Sequence, residues 1–229
     1  MYKKILIYFL IIMFCLLYNS YSLAWDDEIT HKDLSQKAAE SSVLGAQTNY
    51  LQNLGFTKGL KDIITWNGVS HEVFEWVRDG AQIEDERTSI LPTYGVMRSV
   101  NHFHNPTRTW YDSNPQNLDA GLDDWVLFLH YTGESSLLWA QDKTNQENHV
   151  GGDWSWKTIR DKYYWALTDT TEAQRQMNFA QTFKGLGHQM HLIQDGAVPD
   201  HIRNDAHPFK RNKYGGLTLE AWAVEKVIL

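Results

Sequence analysis

The chain has 229 residues, and its formal net charge at pH 7 is −7. A net negative charge gives no general attraction for nucleic acid or anionic lipid, so any recognition of phosphate must come from a local site. Its single cysteine, Cys15, excludes a fold held together by internal disulfide bonds, so a hydrophobic core or bound metal must stabilise it.

The N-terminal segment has the pattern of a secretory signal peptide. Two lysines precede an apolar run from Ile5 to Leu17, and small residues occupy the last and third-last positions before a cut after Ala24. A retained signal anchor is the alternative, but thirteen apolar residues are short for a membrane span. We therefore expect a secreted or periplasmic protein in which residues 1–24 are removed and Trp25 becomes the N-terminal residue.

Helical patterns dominate residues 25–229, which we expect to form one domain without a transmembrane segment. A capping box that begins at Thr30 opens a predicted helix, which ends at Gly55 and has His31 in its first turn. Further helices are predicted at about 69–80, 122–141, 155–168, 171–194 and from about Leu217, with long surface loops at 86–119 and 142–153. The predicted fold is all-α, a single-domain helical bundle with long loops.

The segment from His191 to His201 carries residues of the type and spacing that bind metal. His191 and Asp195 are four residues apart, so they share one face of a helix. Gly196 and Pro199 would turn the chain so that His201 returns toward the same cation. The alternative is an ordinary histidine–carboxylate pair on a solvated helix face, and the pair alone does not separate the two interpretations.

A second stretch combines acidic residues with a histidine pair, in residues 78–85 and 101–106. Asp85 and His102 are ligand types that zinc accepts, and the loop between them allows them to converge. Spacing alone does not exclude four other candidate ligands, which are Asp79, Glu84, Glu86 and His104. The alternative is that most of this segment is a solvated loop without a metal.

Taken in order along the chain, these motifs resemble the zinc-dependent bacterial phospholipases C, which share a superfamily with the S1/P1 nucleases. The matching elements are Trp25 with His31; Gly80 with Asp85; His102, Phe103 and Pro106; and His191, Asp195, Pro199, His201 and Asn204. The resemblance covers about residues 25–225, which is nearly the whole predicted mature chain. Relatives continue with further helices, so the resemblance implies a chain that is shortened at its C-terminal end.

The resemblance implies three zinc ions in a cleft of the helical bundle. The first site would consist of Asp85, His102, His191 and Asp195; the second of the Trp25 α-amine and carbonyl oxygen, His31 and Asp195; and the third of His201, His207 and Glu220. Gly216 stands where the family has the second histidine of the third site, and His207 is the candidate to replace it. His188, one turn before His191, is the candidate to orient a ligand.

The function implied by the resemblance is hydrolysis of phosphodiester bonds in phospholipids by a metal-activated water. Asp85 would be both a metal ligand and the group that orients or deprotonates this water. Peripheral contact with a membrane is compatible with this function, and no obligate protein partner is inferred. Two alternatives stay open: an S1/P1-type nuclease that cleaves single-stranded nucleic acid, and a non-catalytic secreted zinc-binding protein.

Overall fold

The computed structural model describes residues 27–46, 49–85, 98–108, 120–126, 129–149 and 151–206. Several predictions lie outside these residues: the signal peptide, Trp25, Glu86, His207, Glu220 and the helix from Leu217. No helix in the described part of the chain has the length and apolarity that a membrane span requires.

The described residues are mainly helical, which confirms the helical character of the predicted fold, and they add two short antiparallel hairpins. The helices are α1 (Lys32–Ser41), α2 (Val43–Ala46), α3 (Tyr50–Asn53), α4 (Val73–Ile83), α5 (Ser136–Trp139), α6 (Lys143–Glu147), α7 (Trp156–Thr168), α8 (Glu172–Asp195) and α9 (Pro199–Ile202). The strands are β1 (Ile63–Trp66), β2 (Val69–Glu72), β3 (Asp123–Val126) and β4 (Leu129–Thr132). A π-helical turn, Asp27–His31, precedes α1, and 3-10 turns occupy Gly59–Lys61 and Arg98–Asn101.

Helix α8 is the central element of the fold, and its ends are defined by local signals. Thr171 caps its first turn by accepting a hydrogen bond from the backbone N–H of Gln174 at 3.3 Å. After Asp195 the chain turns, and Pro199 opens α9 at a position where a missing N–H costs nothing. The last turn of α8 therefore faces the short helix that follows it.

The hydrophobic core lies between α4, α7, α8 and the first hairpin. The buried residues of this core are Leu51, Phe56, Ile64, Val73, Trp76, Val77, Ala166, Phe179, Ala180 and Phe183. Helices α4 and α8 approach so closely that a Cβ on Gly80 would overlap the carbonyl oxygen of Lys184, and a Cβ on Gly187 would overlap that of Val77. This contact brings the end of α4 against the end of α8.

Two of the helix predictions are confirmed almost to the residue, and three are wrong in whole or in part. Helices α7 and α8 match the predictions at 155–168 and 171–194. The helix predicted at 69–80 begins only at Val73, because Asn67 and Gly68, with φ of 51° and 77°, form the turn of the β1–β2 hairpin. That Asn-Gly turn signal was missed.

The prediction of one helix over 122–141 is largely wrong. Strands β3 and β4 pair there, with Val126 opposite Leu129, and only the short helix α5 follows. Aromatic side chains suit the half-exposed face of such a hairpin, and the ring of Trp125 stacks on His130 at 4.5 Å. The loop predicted at 142–153 also contains helix α6, capped by Asp142, which accepts from the Asn145 N–H at 2.9 Å.

The predicted capping box at Thr30 is wrong as well, because helical structure already begins at Asp27 and Thr30 lies inside the π-helical turn. The predicted long helix to Gly55 is divided into α1, α2 and α3. The backbone N–H of Ser42 ends α1 by bonding to the carbonyls of Ala38 and Ala39.

Candidate metal centre

Every predicted metal ligand within the described residues lies in one buried cluster at the ends of α4 and α8. Its members are His31, Asp85, His102, His191, Asp195 and His201, whose side chains are at most 4% exposed. The carboxylate of Asp195 lies at the centre. Its Oδ2 is 2.8 Å from His102 Nδ1, 3.1 Å from His191 Nε2 and 3.6 Å from His201 Nδ1, and its Oδ1 is 3.4 Å from His31 Nε2.

Asp85 is the second carboxylate of this cluster. One oxygen lies 3.2 Å from His102 Nδ1 and the other 3.4 Å from His191 Nε2. Asp85 follows the last turn of α4, whereas His191 lies in the last turn of α8. The close contact at Gly80 therefore brings the carboxylate to the histidine, which gives a physical reason for a glycine five residues before the aspartate.

His201 reaches the cluster because α9 turns back after α8, as the sequence predicts. The backbone N–H of His104 donates to the His201 carbonyl at 3.1 Å and ties the two motif segments together. Asn204, the last residue of the motif, ends this turn with a φ of 55°, a left-handed conformation that Asn tolerates better than most residues. Its side-chain amide donates to the carbonyl of Gly121.

Three of the four histidines of the cluster have a hydrogen-bond pattern that is common among metal ligands. In each of three rings, Nδ1 faces an oxygen acceptor: Gln194 Oε1 for His31 at 2.7 Å, the Ala81 carbonyl for His191 at 2.6 Å and the His102 carbonyl for His201 at 3.3 Å. An Nδ1–H that donates to such an acceptor leaves Nε2 with a free lone pair. In His31 and His191, Nε2 is buried and has no hydrogen-bond partner among the described residues.

The carboxylates are equally short of hydrogen bonds. Both oxygens of Asp195, Oδ2 of Asp85 and Nδ1 of His102 are buried and make no hydrogen bond among the described residues; the short distances between them, such as 2.8 Å from His102 Nδ1 to Asp195 Oδ2, are ion-pair contacts. Buried polar atoms that lack partners are costly, and a concentration of them at one point needs an explanation. A cation at this point would satisfy them together.

Two groups of atoms have the separation that a shared cation requires. In one, atoms of His31, Asp85 and His191 all lie within 4.8 Å of one another, and in the other the same holds for His102, His191 and Asp195. Nitrogen from imidazole and oxygen from carboxylate are both common metal ligands. The buried His and Asp residues could therefore bind a metal ion.

The electrostatics of the metal-free cluster point the same way. Burial opposes protonation of His191, but Asp195 and Asp85 raise its pKa to about 10. Burial also opposes protonation of His102, and Asp85 and Asp195 raise its pKa well above the usual value. Burial, together with the neighbouring His191, lowers the pKa of His31 to about 4. Protons on His102 and His191 thus supply the positive charge that balances the two carboxylates, a charge that a bound cation would otherwise bring.

The other candidate ligands in the described residues lie outside the cluster or are bound by other side chains. Asp79 lies at the surface, 3.5 Å from His71, and His104 has its Nδ1 2.8 Å from Ser135 Oγ. Glu84 is fully buried beside the cluster, but Arg98 holds its carboxylate. Its Oε1 is still 3.5 Å from His102 Nε2.

Two residues of this centre were not predicted from the sequence. Gln194 connects His31 to Ser35, to whose hydroxyl its amide donates at 2.8 Å, and Arg98 binds Glu84. Gln194 precedes Asp195, so adjacency to a predicted ligand was the available signal for Gln194, whereas Arg98 has no such neighbour. His188 was predicted to orient a ligand; its ring is hydrogen-bonded to Glu84 and stacks on Trp154.

A cleft of about 700 Å³ borders the segments that carry His102 and His201. It is lined by Asn105, Pro106, Thr107, Ile202, Arg203 and Asp205. Its volume falls within the range of about 300–1,000 Å³ that is usual for small-molecule sites. The lining residues follow His102 and His201 in the chain, and none of them belongs to the buried cluster itself.

No protein-family model, no curated protein and no solved structure matches this chain. The resemblance to the zinc-dependent phospholipases C therefore stays a prediction, which rests on the motifs in the sequence.

Proposed function

We propose that the protein is a secreted, zinc-dependent phosphoesterase of the phospholipase C type. One observation carries the proposal: four imidazoles converge on the buried Asp195 carboxylate. At this point Nε2 of His31 and His191, Oδ2 of Asp85 and both oxygens of Asp195 have no hydrogen bond among the described residues. A cluster of imidazoles and carboxylates suits zinc better than calcium or magnesium, which prefer oxygen ligands. The fold we propose for residues 25–229 is one helical domain around this zinc cleft.

The residues divide into two adjacent sites that share Asp195. Asp85, His102, His191 and Asp195 would hold one ion, and His31 with the other oxygen of Asp195 would hold a second, to which the Trp25 α-amine and carbonyl oxygen contribute. We propose His201, His207 and Glu220 for a third ion. The bridging role of Asp195 is supported by its two oxygens, one directed at His31 and the other at His102 and His191.

When bound, zinc ions supply Lewis-acid chemistry: they bind phosphate oxygens, lower the pKa of a water molecule to near 7 and stabilise charge on the leaving oxygen. The chain itself supplies the orientation of the reactants. Asp85 has one buried oxygen without a hydrogen-bond partner among the described residues, so it can accept a hydrogen bond from a water molecule at the cluster and orient it. The cleft beside His201 would hold the substrate, with Arg203 on its wall.

A second candidate is a nuclease that acts on single-stranded nucleic acid, and one observation favours it. Trp125 is 63% exposed on β3, and its ring stacks on His130. The same strand is tied to the edge of the cleft, because Asp124 accepts a hydrogen bond from the Ala206 N–H at 3.1 Å. An exposed aromatic ring near a phosphate site can stack on a nucleobase.

Assays of the purified protein on phosphatidylcholine vesicles and on single-stranded DNA would test the proposal, each after chelation and again after addition of zinc. We expect zinc-dependent release of diacylglycerol by the wild-type protein. The Asp85→Asn variant should lose this activity. The Asp79→Asn variant should retain it, because Asp79 lies at the surface, at the other end of the segment 78–85. Zinc-dependent cleavage of DNA alone would favour the nuclease. Zinc binding without turnover of either substrate would make the protein a non-catalytic zinc binder.

A further inference from the structure

A second buried polar cluster lies directly behind His102, and the proposed metal binding does not use it. It consists of Glu84, Arg98, Trp139, Gln146 and His188, and we call it the Glu84 network. Glu84 is fully buried at the end of α4, next to the ligand Asp85. A buried carboxylate is retained at such a position only if donors surround it.

The carboxylate of Glu84 is held from several sides. Arg98 donates from Nε at 3.0 Å and from Nη2 at 2.8 Å to one oxygen, and from Nη2 at 3.1 Å to the other. The indole N–H of Trp139 donates to Oε1 at 3.0 Å, and His188 is hydrogen-bonded to Oε2. Charge-assisted hydrogen bonds from a guanidinium fix both the position and the plane of the carboxylate.

Arg98 is itself immobilised. Its Nη1 donates to the carbonyl of Gly152 at 2.7 Å and its Nη2 to Gln146 Oε1 at 3.2 Å, while the guanidinium lies 4.9 Å from the centre of the Trp139 ring. Arg98 begins the 3-10 turn that ends one residue before His102. The network therefore fixes both Glu84 and the segment that carries His102.

His102 is oriented differently from His31 and His191. Its Nδ1 faces Asp195 at 2.8 Å and Asp85 at 3.2 Å, whereas His31 and His191 direct Nε2 toward the carboxylates. The Nε2 atom of His102 lies 3.5 Å from Glu84 Oε1, which is an ion-pair distance, and it has no hydrogen bond among the described residues. A carboxylate on this side attracts an Nε2–H and leaves the lone pair on Nδ1, which points into the cluster.

We propose that Glu84 is a positioning residue that turns His102 so that Nδ1 binds the metal, and that Arg98 keeps Glu84 in place. The inference rests on the proposed metal centre, because it assigns the ligand atom of one of its histidines. It adds a role for a carboxylate that binds no metal itself and for an arginine that lies outside the motifs.

The double variant Glu84→Gln/Arg98→Met tests the positioning role. The Gln side chain keeps an acceptor for Trp139, and the Met side chain keeps most of the length of Arg98. Because both replacements are uncharged, no unpaired charge is left buried. Replacing both members of a buried ion pair is often tolerated by the fold. The matched control is Phe56→Leu, a buried substitution in the core around Phe179.

We expect the zinc dissociation constant, measured by competition with a chelator, to rise about 10- to 100-fold in the double variant and to stay unchanged in the control. Melting temperatures of the metal-free proteins show whether both variants are folded. In wild-type protein loaded with cadmium-113, the metal should couple to Hε1 of His102 and not to Hδ2, because only Cε1 carries a hydrogen next to Nδ1.

An unchanged zinc affinity in a folded double variant would overturn the inference and leave the proposed metal centre intact. Coupling of cadmium to both ring protons of His102 would also overturn it, because that pattern requires binding through Nε2. A wild-type protein that binds no zinc would overturn the proposed function together with the inference.

Discussion

Replacing Asp195 with Asn tests the metal centre at its most connected side chain. The Asp195 carboxylate lies within 3.6 Å of nitrogens of four histidines, and neither oxygen has a hydrogen-bond partner among the described residues. Asparagine keeps the shape but removes the negative charge, and it directs N–H donors toward ring nitrogens that we propose to bind metal. The variant therefore removes the ligand that we propose two ions share.

The size of the effect follows from this position. Loss of a partner that only orients a ligand costs about 10- to 100-fold in metal affinity, so loss of a shared ligand should cost at least about 100-fold, or ~2.8 kcal/mol. Zinc at about 1,000 times its dissociation constant stabilises the folded state by about 4.1 kcal/mol, and a site about 100-fold weaker retains about 1.4 kcal/mol. The difference corresponds to a melting temperature lower by about 5–11 °C in a chain of this size.

Metal analysis and thermal unfolding in zinc would measure both effects, with Asp200→Asn as the control. Asp200 is also buried, but its carboxylate pairs with Arg203 at 2.7 Å. We expect Asp200→Asn to keep its zinc. Equal zinc loss in the two variants, or full zinc occupancy in Asp195→Asn, would refute the assignment of Asp195 as the shared ligand.

Four further predictions concern the same centre. Chelation of wild-type protein should lower both turnover and melting temperature, whereas an unchanged melting temperature would show that the cluster is stable when empty. One alanine added before Trp25 should reduce zinc content, because a planar amide nitrogen replaces the free amine; amino-terminal sequencing with metal analysis checks this. Glu84→Gln alone should destabilise the protein by about 3–5 kcal/mol in denaturant unfolding, since Arg98 loses its counter-charge, and the double variant with Arg98→Met should recover most of it. Gly80→Ala should cost about 1–3 kcal/mol, measured the same way, because its Cβ meets the Lys184 carbonyl; a neutral effect would mean that α4 and α8 can separate freely.

The parts of the fold that could be predicted were those with strong local signals. Helices α7 and α8 have clear caps at Ser155 and Thr171, whose side chains accept hydrogen bonds from the first turn. The two hairpins were missed because short strands were read with a helical period. The Asn67–Gly68 turn was a usable signal for the first hairpin, and the second is defined by cross-strand pairing that a local pattern does not reveal.

The same distinction applies to the metal centre. The His191, Asp195 and His201 motif is local, so its spacing predicts that the three side chains converge. Spacing does not show which acidic residue near Asp85 is the ligand, because this depends on how α4 packs against α8. Gln194 and Arg98 carry no pattern of their own, and Gln194 meets a partner 163 residues away.

The sequence distances within the cluster also determine when it can form. Hydrogen bonds at the centre join residues separated by 163, 110 and 99 positions. Closing loops of this length is slow, because chain entropy is lost before the contacts are gained. The complete ligand set therefore exists only after α1, α4 and α8 have docked, so the metal binding that we propose would be a late step in folding.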